Sequence, residues 1–220
     1  IFFNSPESRL NHIVRKSIIN SDEESIKLIE NLFINEKEHF GTTNRMNALL
    51  SRSLCLNPPT SKLVDISKNK TFGSLVSSLF EIEQNLENND LKKNNPDAYS
   101  DLLFQKASLL SSSPDARVEI LLQLTSYQIE NQYYSEAIIS QITAAALVAE
   151  YLQLIGKIPN YFKDKHPANK FCIASPSAVS EVCPKYIIDD IPRLNGFCTS
   201  KYFCEYGLIY LMSIAIDACK

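Results

Sequence analysis

Apolar residues recur at intervals of three and four along most of this 220-residue chain, as they do on one face of an α-helix. The spacing is clearest from Phe72 to Leu86. Alternating β-branched residues, the pattern of a half-buried strand, are scarce. The hydrophobic pattern therefore predicts an all-α fold.

Capping signals divide this pattern into separate helices. Ser21 and Glu24 have the spacing of a capping box. Asn95-Pro96-Asp97 and Ser113-Pro114-Asp115 are two helix starts of one design, with proline at the first helical position. Together the signals predict helices at about 5–20, 21–38, 43–55, 72–86, 95–110, 113–131, 133–155 and 201–219, with a polar connection before 72 and a loop at 87–95.

The helix predicted at 133–155 is apolar around most of its circumference and contains several alanines, so we expect it to be the central helix. Gly156 predicts its C-terminal stop. With 114–131 it has the form of a tetratricopeptide-type (TPR-type) hairpin. Because a hairpin of this kind needs a neighbour to cover its apolar face, we expect antiparallel hairpins stacked as a short TPR-like α-solenoid.

The segment 157–200 is rich in proline and predicts irregular structure. Connections of this length are unusual in compact domains, which makes the segment a candidate contact surface. The last predicted helix presents six residues on one side: Tyr202, Tyr206, Ile209, Met212, Ala215 and Ile216.

The formal charge of -3, from 22 basic and 25 acidic residues, argues against a nucleic-acid partner. No apolar run reaches the roughly 20 residues that a membrane-spanning helix needs. Because the chain begins with Ile1, without a signal-peptide pattern, we expect a segment of a longer protein.

Six cysteines occur without any CxxC pair, so we expect reduced, mostly buried thiols and a cytoplasmic location. A zinc site formed by His166, Cys172, Cys183 and Cys198 is an alternative. Structural zinc sites normally take closely spaced ligand pairs, which these residues do not provide. Reduced thiols are therefore the preferred prediction.

No phosphate-binding glycine loop and no HExxH or GxSxG motif occurs in the chain. Asp22-Glu23-Glu24 is interpreted as the opening turn of a helix, and Asp189-Asp190 as a turn or solvated face. No catalytic, cofactor-binding or metal-binding residue is predicted. Six tyrosines at helical spacing predict a core edge with hydroxyls reaching outward: Tyr133, Tyr134, Tyr151, Tyr202, Tyr206 and Tyr210.

The sequence SPDARVEILLQL at 113–124, followed by Glu136-Ala137 and by AALVAEYL at 145–152, resembles a helical hairpin near the start of the DOCK (dedicator of cytokinesis) exchange domain, the DOCKER domain. Ala116 stands where leucine is usual in that family, and Ile120 where many members have tryptophan. AALVAEYL is most similar to the zizimin-like branch. The resemblance assigns 70–220 to the N-terminal helical lobe, lobe A, with 1–69 as a helical segment that precedes or opens it.

The resemblance implies a guanine-nucleotide exchange factor for Rho-family GTPases of the Rac-like group, whose catalytic lobes lie downstream of this chain. It implies a non-catalytic scaffold that packs on the next lobe and meets the GTPase only through the full-length protein. The alternatives are a free-standing helical adaptor that binds a peptide or partner helix, and a helical enzyme, which would need a deep pocket with convergent polar groups.

Overall fold

A computed structural model describes residues 6–35, 50, 52–68, 70–110, 113–158, 198 and 200–218. Within these ranges the regular structure is helical and contains no strand, which confirms the predicted all-α class. The helices are α1 Pro6–Asn20, α2 Glu23–Asn35, α3 Ser61–Ile66, α4 Lys70–Leu86, α5 Asn89–Asn94, α6 Pro96–Leu109, α7 Pro114–Glu130, α8 Tyr134–Leu154 and α9 Glu205–Ala218, with further helical residues at 52–56.

Two short helices occupy stretches that were predicted to be connections. α3 begins after Thr60, whose hydroxyl accepts a hydrogen bond from the Leu63 amide at 3.3 Å. α5 begins after Asn88, whose side chain accepts from the Asp90 amide at 3.0 Å. The prediction of a loop over 87–95 is therefore wrong, because side-chain caps stabilise a single helical turn even where apolar periodicity is lacking.

The capping box predicted at Ser21 and Glu24 is also wrong. The residue that caps α2 is Asp22, whose carboxylate accepts from the Ser25 amide at 3.2 Å. Ser21 has a left-handed backbone, with φ 45°, and its hydroxyl is 3.2 Å from the hydroxyl of Thr60. The last helix begins four residues later than predicted, because residues 201–204 form turns and bends.

Residues Ile1–Ala116 form one compact unit. In it, α4 packs on α6, and Phe72, Val76 and Leu79 are fully or almost fully buried. Lys106 and Glu83, both largely buried, form an ion pair between these helices at 2.5 Å. The clear amphipathic pattern of 72–86 thus corresponds to a helix with one buried side.

Residues Arg117–Lys220 form the second unit, in which α9 packs on α8. α7 ends in a turn with Gln132 at φ 65°, and the Ser140 hydroxyl donates a buried hydrogen bond to the Gln128 side chain across this turn at 2.9 Å. α8 stops at Gly156, as predicted, with φ 73° and the Lys157 amide bonded to the Leu152 carbonyl at 2.9 Å.

The domain boundary predicted between 69 and 70 and the TPR-like stacking stay predictions. No helix among the described residues has the length and apolar character needed to cross a membrane.

Candidate interaction surface

The carboxylate cluster at the start of α2 has the structural role that the sequence predicted. Hydrogen bonds from Ser25 lower the pKa of Asp22. Glu23 pairs with Lys27 one turn later at 2.8 Å, and this contact lowers the pKa of Glu23 and raises that of Lys27. These carboxylates therefore stabilise an exposed helix start.

The zinc alternative obtains no support from the part of the chain that the structure describes. No group of three or more histidine, cysteine or acidic side chains there is suited to hold a metal ion. Cys198 is buried, while His166, Cys172 and Cys183 lie outside the described residues. Asp189-Asp190 and most of the contact segment predicted at 157–200 also lie outside them.

The inward side of α9 is formed by every fourth residue: Gly207, Leu211 and Ala215 are its buried positions. A Cβ atom on Gly207 would lie 2.3 Å from the Tyr202 carbonyl oxygen, so glycine is required for this close approach. The Gln141 side chain, fully buried on α8, donates to the Leu211 carbonyl at 3.0 Å. Gly207 thus lets α9 start close to the preceding turn, and one buried hydrogen bond joins α9 to α8.

Tyr151 on α8 anchors the chain just before α9. Its hydroxyl accepts a hydrogen bond from the Cys198 amide at 3.2 Å, and its ring meets Phe203 edge-on with 5.2 Å between ring centroids. One residue earlier on α8, burial raises the pKa of Glu150 to about 7. The anchoring side of α8 therefore combines apolar packing with specific polar contacts.

The outward side of α9 is apolar and faces solvent. Exposed fractions reach 85% for Tyr206 and 64% for Ile209. Tyr210 stacks on Tyr202 with 6.4 Å between centroids, and the Lys201 ammonium lies 5.1 Å from the centre of the Tyr202 ring. We call the exposed large apolar residues of α9 the outer face: Tyr206, Ile209, Tyr210, Met212 and Ile216.

The six residues predicted to share one side of this helix do not all share one environment. Ala215 lies with the buried positions, whereas Tyr206, Ile209, Met212 and Ile216 are exposed together. The predicted core edge of tyrosines with outward hydroxyls is wrong for Tyr206, which is exposed. It is also wrong for Tyr151, which is buried and whose hydroxyl is bonded inside the protein. The four-residue repeat of glycine, leucine and alanine is the sequence signal that marks the buried side.

The motif that suggested the DOCK family is largely internal. Asp115, almost completely buried, pairs with Arg52 at 3.1 Å, and Arg117 is buried as well. Ala116 and Ile120 are also buried. These motif residues therefore stabilise the helix packing and do not form an exposed site.

A family model described as DHR-2, lobe A, matches residues 101–220, which is more than half of the chain. The chain belongs to the DHR-2 lobe A family. This confirms the predicted relation to lobe A of the DOCK exchange domain, and the match includes both the motif and the outer face. The assignment of 70–100 to lobe A stays a prediction, as does the zizimin-like branch.

Several dedicator of cytokinesis proteins resemble this lobe A chain. Dedicator of cytokinesis protein 6 of Mus musculus is 33% identical over 123 residues, covering 54% of the chain and 6% of the relative. Protein 7 of Homo sapiens is 30% identical over 123 residues, covering 54% and 5%, and human protein 8 is 27% identical over 125 residues, covering 56% and 6%.

The chain therefore spans only 5% to 6% of the length of these relatives. No solved structure gives a significant match to this lobe A chain.

Proposed function

We propose that this chain is a non-catalytic supporting lobe of a guanine-nucleotide exchange factor for Rho-family GTPases. The observation that carries the proposal is the outer face of α9, which lies within the lobe A match and exposes five large apolar side chains. A contiguous exposed apolar surface is typical of an interaction site. The next lobe of the same exchange domain is the partner that the family relation favours.

The internal position of the family motif supports a scaffold role. Asp115 is buried in its ion pair with Arg52, and Gln128 is bonded to Ser140 inside the hairpin. Buried groups of this kind orient helices and offer no contact to a nucleotide or a GTPase. The GTPase, which we propose to be Rac-like, would meet the full-length protein through its downstream lobes, in the cytoplasm.

The Arg52–Asp115 pair also bears on the domain organisation. Arg52 lies before the predicted boundary at 69 and Asp115 lies within the family match, and both belong to the unit Ile1–Ala116. Asp115 is buried and Arg52 is partly exposed, so without Arg52 the buried carboxylate would lose this compensating charge. We therefore propose that the segment before 70 opens the lobe instead of forming a separate domain.

A free-standing adaptor is the second candidate. It predicts a stable monomer that does not expose a large apolar patch, whereas the outer face of α9 is exposed along three turns. This observation favours a lobe that another part of the same protein covers.

The test is nucleotide release from a panel of Rho-family GTPases, measured by loss of fluorescent GDP. The 220-residue chain is compared with a longer protein that includes the natural downstream sequence. We expect acceleration only with the longer protein. Activity of the 220-residue chain by itself would contradict the non-catalytic role, and inactivity of both would support the adaptor.

A further inference from the structure

No further inference is drawn: the strongest candidate, the surface patch on α1 formed by the exposed side chains of Arg15, Lys16 and Ile19, carries nothing, because nothing in the part of the chain that the structure describes shows what covers it.

Discussion

α8 and α9 are both strongly apolar helices, and they differ in how much of the helix is covered. In α8, all residues from 144 to 152 are buried, so every side of the helix is in contact with protein. In α9, burial is limited to a stripe formed by Gly207, Leu211 and Ala215. One helix is a core element, and the other combines a core side with an exposed apolar side.

The difference shows that apolar content alone does not determine burial. α8 contains Gln141 and Glu150, yet both are buried, whereas Ile209 and Ile216 of α9 face solvent. Polar groups can be buried when they bond, as Gln141 does to Leu211. An exposed apolar side, in contrast, needs an explanation in terms of a partner.

The largest expected effect separates the two sides of α9. Leu211→Ala should lower the free energy of unfolding by about 2–5 kcal/mol, because it leaves a cavity at a fully buried site. Ile209→Ala, at an exposed site of the same helix, should change it by less than about 0.5 kcal/mol. Urea denaturation of the 220-residue chain measures both. Similar losses for the two variants would contradict the division into inner and outer sides.

The pH dependence of stability tests the buried side of α8. Burial raises the pKa of Glu150 from 4.5 to about 7 in the folded chain. The folded state therefore keeps a proton that the unfolded chain releases, and stability falls as pH rises from 4.5 through 7. The loss is on the order of 3 kcal/mol, at about 1.4 kcal/mol per pKa unit.

Urea denaturation between pH 5 and pH 8 measures this loss, and Glu150→Gln should remove most of it, since an amide has no charge to bury. Glu136→Gln is the control, because Glu136 is an exposed carboxyl in the first turn of the same helix. An unchanged pH dependence in Glu150→Gln would show that another group is responsible.

A smaller effect is expected where α9 approaches the preceding turn. Gly207→Ala should lower the free energy of unfolding by about 1–3 kcal/mol. The added Cβ would overlap the backbone of Tyr202, which cannot turn aside as a flexible side chain could. Gly73→Ala should lower the free energy of unfolding by less, since a Cβ on Gly73 would lie 2.9 Å from its nearest neighbour, the Ser67 carbonyl oxygen. Thermal unfolding compares the two variants, and a larger loss at Gly73 would contradict the close approach at Gly207.

The smallest effect concerns the hydroxyl of Tyr151. Tyr151→Phe keeps the edge-on contact with Phe203 and removes the hydrogen bond from the Cys198 amide. We expect a loss of about 1 kcal/mol in the free energy of unfolding. Tyr134→Phe, at a half-exposed position at the start of α8, should have no measurable effect. A neutral result for Tyr151→Phe would mean that water replaces the lost bond.

Much of the fold was predictable because local signals coincide with its helix boundaries. α6 and α7 begin where the Asn95-Pro96 and Ser113-Pro114 signals predicted a helix start. α8 ends just before the predicted stop at Gly156. The short helices α3 and α5 were missed because hydrophobic periodicity cannot be recognised over six residues. The predicted capping box failed because serine and aspartate are both good caps and stand side by side at 21 and 22.

The candidate surface was predictable only in part. The sequence placed Tyr206, Ile209, Met212 and Ile216 on one side of a helix, which follows from their spacing alone. Apolar content does not distinguish that side from the inner one, because leucine and alanine on one side and isoleucine and tyrosine on the other are all apolar; the small residues Gly207 and Ala215 are the one local signal of the inner side. Contacts with α8 make the distinction.

The sequence by itself determined the all-α class, the positions of the long helices and the relation to lobe A, because periodicity, caps and motif residues are local properties of the chain. Only the tertiary structure decided that Asp115 pairs with Arg52, that Glu150 is buried, and that α9 leaves its outer face exposed. These features depend on which residues distant in the chain come into contact, and burial results from that packing rather than from residue type.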